Sequence, residues 1–83
     1  MGAKRKSAGD VFARVLREAR QEAKLTQEQL ADRSDVTARF VSFLECNRQE
    51  PSFSTLLALE DGLGLPAGEL VRRARRLLSN PKR

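Results

Sequence analysis

The chain lacks histidine altogether, holds a single cysteine and contains no long hydrophobic run. Without histidine, acid–base catalysis by an imidazole is excluded, and metal catalysis loses its commonest ligand. The lone thiol, Cys46, can form no intrachain disulfide and cannot by itself build a metal site. The sequence also lacks a carboxylate pair, a nucleophile–base set and a phosphate-binding loop, so we expect no enzyme activity, no metal and no cofactor.

Signals for membranes and secretion are missing as well. No apolar stretch approaches the ~20 residues that a membrane span requires. Residues 1–9 contain a basic segment but no apolar core of a secretory signal. Gly2 is placed for myristoylation, but Lys6 stands where a hydroxyl is required and Ser7 follows one place late. We therefore expect a cytoplasmic protein without a membrane partner.

What remains is one small domain with unevenly placed charge. Its 83 residues, 40% of them hydrophobic, lie near the lower limit for an unaided core. Residues 10–69 hold 7 basic and 11 acidic side chains, although the whole chain carries +5. Basic ends on an acidic body indicate electrostatic binding to a polyanion, most commonly nucleic acid. The alternative is a solubilising tail with a solvated helix face. The basic residues at the two ends are Lys4, Arg5, Lys6, Arg72, Arg73, Arg75, Arg76, Lys82 and Arg83.

The spacing of apolar and capping residues predicts five helices and no strand. The first is expected at about residues 11–23, with Asp10 as its N-cap. A capping box of Thr26 and Gln29 opens the second helix, and Thr37 caps the third. The apolar stripe of the first helix consists of Phe12, Leu16, Ala19 and Ala23.

The later helices are marked by glycine, proline and asparagine. The third helix is expected to end near Asn47, which can take the left-handed conformation. Ser52 caps a fourth helix that Gly62 and Gly64 break, and Pro66 suits the first turn of a fifth. The predicted inner face of the fourth helix carries Phe53, Leu56, Leu59 and Leu63.

Residues 25–45 hold the most informative pattern, two short helices joined by a three-residue turn at 34–36. Helices joined so closely form a helix-turn-helix, whose second helix can enter a DNA major groove. The motifs are Leu-Thr-Gln-Glu-x-Leu-Ala over 25–31 and Val-Thr-x-x-x-Val-Ser-x-Leu-Glu over 36–45. They resemble the lambda-repressor-like family, of Cro or xenobiotic-response-element type, and the resemblance runs over residues 12–70.

The resemblance implies a compact, all-α, five-helix lambda-repressor-like domain with the helix-turn-helix at helices two and three. It divides the chain into a flexible basic arm at 1–9, a DNA-binding domain with a C-terminal dimerisation helix at 10–79, and a basic tail at 80–83. The implied function is transcriptional regulation, by a repressor or autoregulator that binds a palindromic site in double-stranded DNA as a homodimer. The alternative is an antitoxin-type module that neutralises a partner toxin, with DNA binding secondary.

Three places depart from the family's usual pattern. Asp35 stands in the turn where glycine or asparagine is usual, so it must adopt a left-handed conformation or shift the turn. Cys46, Asn47 and Arg48 replace an Arg-Gly-Lys type of ending, which removes one common phosphate contact. Glu60 replaces an alanine and brings a charge near the packing surface of helix four.

A helical wheel of the third helix separates an inward face, with Val41 and Leu44, from an outward face. Arginine can donate two bonds to guanine, and a phenyl edge or an alanine methyl can contact a thymine methyl. The alternative for Arg39 is a solvated arginine, which Phe43 beside it disfavours because an exposed ring costs solubility. The predicted base contacts are Ala38, Arg39, Ser42 and Phe43.

Phosphate contacts follow from the resemblance and from helix two. Gln27 lies in the first turn of that helix, where free N–H groups and the dipole attract anions. Phe40 has a second interpretation, packing against Leu44. The resemblance also pairs Arg20 with Glu45, the alternative being two independently solvated side chains. The implied phosphate contacts are Gln27, Thr37, Phe40, Arg48 and Gln49. The basic arm either wraps the duplex or is an idle tail, and its basic residues are Lys4, Arg5 and Lys6.

The fifth helix has more apolar surface than a small core covers. On a helical wheel its apolar side chains fall within about 120°, and all four arginines fall outside that arc. Leu77 and Leu78 lie about two turns beyond Leu70, so we expect a second copy to cover them. A membrane surface is the alternative, but the helix is short and lacks aromatic anchors. The predicted dimer interface consists of Leu57, Leu65, Val71, Leu77 and Leu78.

Overall fold

The computed structural model describes residues 7–79, and these form five α-helices and no strand. The all-α, five-helix prediction is confirmed. Across this described part of the chain, no helix is long and apolar enough to cross a membrane. The helices are α1 (Ala8–Glu22), α2 (Gln27–Ser34), α3 (Ala38–Glu45), α4 (Phe53–Gly62) and α5 (Glu69–Ser79).

A hydroxyl side chain opens each of the first four helices. Each hydroxyl accepts the backbone N–H three residues later, which satisfies one of the donors that a helix start leaves free. The predicted capping box of Thr26 and Gln29 is present in full. The predicted cap of α1 was wrong: Ser7, not Asp10, accepts the bond, so the helix already begins at Ala8. The four caps are Ser7, Thr26, Thr37 and Ser52.

Left-handed residues make two of the tight connections that the sequence indicated. Asp35 has a φ of 58° and ends α2, and Asn47 has a φ of 57° just after α3. Val36 then donates its N–H to the Ala31 carbonyl at 3.0 Å, which closes the turn between α2 and α3. Lys24, with a φ of 61°, forms a third such turn that the sequence did not indicate.

Each helix contributes one leucine to the centre of the core. All five side chains are at most 1% exposed. Burying a leucine stabilises a fold by about 1.5–3 kcal/mol. These five leucines therefore supply a large part of the hydrophobic stabilisation available to a chain of this size. The five are Leu16, Leu30, Leu44, Leu59 and Leu70.

Two apolar residues predicted to face inward do not. Phe53 is 75% exposed. At 100° per residue it lies about 90° from the centre of the arc formed by Leu56, Leu59 and Leu63, so the regular geometry of α4 turns it outward. Ala23 is exposed because it is the C-cap of α1 and lies beyond its last turn.

The chain enters α5 later than predicted. Pro66 lies in a preceding turn, and its carbonyl accepts the N–H of Glu69 at 3.1 Å. The helix itself begins at Glu69. It packs along α1, where Arg73 pairs with Glu22 at 3.1 Å. The hydrogen bond from Arg73 holds the pKa of the Glu69 carboxyl below its usual range, and Arg72 adds to this.

Gly62 of α4 lies against the end of α2. A Cβ built there would lie 2.4 Å from Ser34 Oγ, which is closer than any real contact. That hydroxyl is buried and has no hydrogen-bond partner among residues 7–79. Gly62 therefore ends α4 and, because it has no side chain, also leaves room for Ser34 of α2.

We expect Gly62→Ala to destabilise the fold by about 1–2 kcal/mol, because the new methyl overlaps Ser34 Oγ. Ser34→Ala alone should be nearly neutral, since it removes a buried hydroxyl that has no partner. The double variant should regain most of the lost stability, measured by urea unfolding. If it stays as unstable as Gly62→Ala, this contact is not the cause.

Candidate nucleic-acid interface

The helix-turn-helix presents one flank of α3 to solvent. Val41 and Leu44 are buried, so the opposite side of this two-turn helix faces outward. Arg39 is exposed there, and Ser42 and Phe43 are half-buried beside it. These three side chains form a continuous surface at the point where the sequence predicted base contacts.

Arg39 and Phe43 are in contact, which the sequence did not reveal beyond their shared face. The guanidinium carbon lies 5.3 Å from the ring centroid, within range of a cation–π interaction. Residues four apart on a helix lie one above the other, which brings the two side chains together. A guanidinium placed over a ring can still donate hydrogen bonds through N–H groups that the ring does not cover.

Two other predicted contacts are partly withdrawn from solvent. Ala38 and Phe40 are half-buried, and both pack against the hydrophobic core. Thr37 stays exposed, and its hydroxyl accepts the Phe40 N–H at 3.0 Å. Of the predicted base contacts, Arg39 alone is exposed, and Ala38, Ser42 and Phe43 are half-buried.

A buried carboxylate joins three helices behind this surface. Glu45, the last residue of α3, accepts from Arg20 Nε at 2.6 Å and from Arg20 Nη2 at 3.0 Å. The same carboxylate accepts from Gln27 Nε2 at 3.0 Å. Arg20 also donates to the Leu25 carbonyl at 2.9 Å, which ties in the turn between α1 and α2. The predicted pair is thus a three-residue cluster.

The positive charge of Arg20 is stabilised within this cluster. Hydrogen bonding to Glu45 raises the pKa of the Arg20 guanidinium above its usual value, and the coulombic attraction adds to this against the opposing effect of burial. Sequence reasoning missed that Gln27 belongs here, because it placed the side chain on a phosphate. Its helix position and its spacing of 18 residues from Glu45 carry no signal of the contact.

The loop after α3 is bound to the start of α1. Asn47 Nδ2 donates to Asp10 Oδ1 at 2.8 Å. A Cβ at Gly9 would overlap Asn47 Oδ1, so a larger residue there would displace the Asn47 side chain. Arg48 and Gln49 follow in this loop, and both are exposed. The predicted arm contacts Lys4, Arg5 and Lys6 lie outside the described residues.

The predicted dimer residues divide into two groups. Four are exposed, namely Leu57, Val71, Leu77 and Leu78. Leu65 is half-buried and packs against the core. The exposed flank of α4 also includes Phe53, which the sequence had assigned to the inside.

Comparison with known protein families and sequences gives three matches, which cover different shares of the chain. A family model described as helix-turn-helix matches residues 16–70. The uncharacterized HTH-type transcriptional regulator y4dJ of Sinorhizobium fredii is 40% identical over 67 residues, 81% of this chain and 82% of that protein. The immunity repressor protein of Bacillus phage phi105 is 38% identical over 52 residues, 63% of this chain and 36% of the repressor.

Among solved structures, the chain is similar to the clp gene regulator ClgR from C. glutamicum. The TM-score is 0.83 at 24% sequence identity, covering 94% of this chain and 100% of that one. At this level of identity, the likeness concerns the arrangement of the five helices.

We expect Glu45→Ala to destabilise the fold by about 3 kcal/mol, because it leaves a largely buried guanidinium without its partner. Gln27→Ala removes one of the donors and should cost about 1 kcal/mol. Glu18→Ala is the matched control, since it breaks the exposed 3.0 Å pair with Arg14 on the same helix as Arg20. That change should cost less than about 0.5 kcal/mol in urea unfolding. Equal losses for Glu45→Ala and Glu18→Ala would contradict a structural role for the cluster.

Proposed function

The chain belongs to the lambda-repressor-like helix-turn-helix family of DNA-binding transcriptional regulators, and we propose that it recognises a specific double-stranded sequence through α3. The observation that carries this proposal is the solvent-facing flank of α3, formed by Arg39, Ser42 and Phe43. A helix held in this way fits the width of a major groove.

Direct base contacts are assigned by chemistry. Arg39 donates two bonds to guanine N7 and O6, and its stacked position on Phe43 is compatible with this because the bonds use the guanidinium edge. The edge of Phe43 meets a thymine methyl, and Ser42 can bond to either kind of base. Ala38 contributes through its methyl group at the border of the surface.

Phosphate contacts lie around this flank. The first N–H groups of α2 point outward at Gln27, and the side-chain amide keeps one hydrogen beyond its bond to Glu45. Arg48 and Gln49 extend from the exposed loop after α3. The remaining proposed contacts are Thr37, Phe40, Lys4, Arg5 and Lys6. These bonds position the protein without selecting sequence.

The proposed active form is a homodimer on a palindromic operator, acting as a repressor or autoregulator. The exposed leucines at the end of α5 support it, since an apolar face of this kind is costly to leave in water. Two copies related by a two-fold axis bind half-sites about 34 Å apart on one side of the duplex. The similarity to a phage immunity repressor favours repression.

A protein-binding module is the second candidate. The observation that favours it is Phe53, 75% exposed on α4 near Leu57 and separate from α5. A partner protein such as a toxin would cover that flank asymmetrically. Binding of the protein encoded by the neighbouring gene, tested with and without Phe53→Asp, distinguishes this candidate.

Arg39→Ala should weaken binding to the preferred operator and relax selectivity at one base pair per half-site by roughly 1–3 kcal/mol. Binding to unrelated DNA should change little. Competition against a panel of single-base operator variants measures this, with Arg48→Ala as the control that weakens all sequences alike. An equal loss across the panel for Arg39→Ala would make Arg39 a phosphate contact.

Leu77→Asp combined with Leu78→Asp should give a folded monomer, because two charges replace the apolar end of α5. Operator affinity should fall at least about tenfold, since the two half-sites no longer bind as one unit. Ser79→Asp adds a charge at the same exposed end and should leave the dimer intact. Sedimentation gives the oligomeric state, and a wild-type protein that is monomeric at concentrations that saturate the operator rules out the dimer.

A further inference from the structure

Glu60 is a buried acid that the DNA-binding surface does not use. It is 1% exposed and lies in α4, where the family resemblance leads one to expect alanine. One carboxylate oxygen accepts the Gly68 N–H at 2.8 Å, and the other accepts the Leu70 N–H at 2.9 Å. A buried carboxylate is tolerated where donors meet both oxygens, and here the donors belong to the start of α5.

Glu60 replaces the local cap that α5 lacks. The residue before the helix is Gly68, with a φ of 91°, so no side chain can accept the free N–H groups from that position. Further anchors of α5 include Leu70, which is fully buried, and Arg73, which pairs with Glu22. Glu60 thus fixes the start of a helix that also packs along α1 and places Ala74 against the core.

The C-terminal half of α5 carries the partly exposed apolar residues Leu77 and Leu78. The 11 residues of the helix span about 16 Å at 1.5 Å each. A tilt of about 10° at the anchored end would move the far end by about 3 Å over that length. One base-pair step is about 3.4 Å. A small tilt of α5 at its anchored end therefore displaces its far end by a distance comparable with one base-pair step.

We propose that Glu60 is a positioning residue that fixes the direction of α5 and thereby the separation of the two half-sites that a dimer accepts. This inference rests on the proposed dimerisation through α5. The carboxylate contacts neither DNA nor the second copy, and acts through the helix that it holds.

Glu60→Gln tests the proposal with little change of shape. The amide keeps one acceptor oxygen and turns a donor toward the second backbone N–H, so one of the two bonds is lost. Asp61→Asn is the matched control, because it removes the same charge from the next residue of α4, where the side chain is exposed.

The measurement uses the full chain and operators whose half-sites are moved together or apart by one or two base pairs. Wild type and Asp61→Asn should prefer one separation sharply. Glu60→Gln should still dimerise and bind a single half-site normally, while its preference between separations falls by about tenfold, the effect of one lost buried hydrogen bond. Circular dichroism reports the helix content, and sedimentation reports the dimer.

If Glu60→Gln is folded and dimeric and keeps the wild-type preference for one half-site separation, the role of Glu60 is wrong and the proposed function is unaffected. If the wild type is monomeric, or prefers no half-site separation, the role of Glu60 and the proposed dimer are both wrong. If Glu60→Gln loses its helix content, Glu60→Asp is tested on the same operators, because it keeps the charge but withdraws the carboxylate by one methylene. A folded Glu60→Asp dimer that keeps the sharp wild-type preference for one half-site separation likewise overturns the proposal.

Discussion

The carboxylate of Glu45 is the group on which the arrangement of the first three helices depends. It ends α3, receives two bonds from Arg20 in α1 and receives one from Gln27 at the start of α2. A charge buried to this extent is stable only when its donors are in place together. The three helices can therefore not rotate separately, and the outward flank of α3 has a single orientation relative to the first turn of α2.

Local chemistry made much of this structure predictable. The capping box of Thr26, the left-handed Asn47 and the inward Val41 all depend on neighbours within a few residues, and each is as predicted. The errors arose at helix ends. Asp10 and Ser7 are both able caps; in the structure Ser7 caps α1 and the Asp10 carboxylate accepts a bond from Asn47. Phe53 has an apolar side chain, but the helix phase set by the inward-facing Leu56, Leu59 and Leu63 turns it outward.

The two buried glutamates differ in how far the sequence could predict their partners. The family resemblance predicted the pairing of Glu45 with Arg20, 25 residues away, and the structure contains it. The backbone N–H groups that meet Glu60, 8 and 10 residues away, become visible only once the helices are placed. A domain this small gains little from its core alone. The hydrogen bonds to the Glu45 and Glu60 carboxylates therefore contribute to fixing how its helices pack.

The stacking of Arg39 on Phe43 has a consequence for the kinetics of recognition. A free arginine side chain samples many rotamers, and ordering it costs up to about 2 kcal/mol of conformational entropy. A guanidinium that already rests 5.3 Å from a ring centroid has given up part of that freedom before any ligand arrives. Such preorganisation lowers the entropic cost of binding. For the base contact proposed for Arg39, the advantage then lies in a longer residence time on the preferred sequence more than in faster encounter.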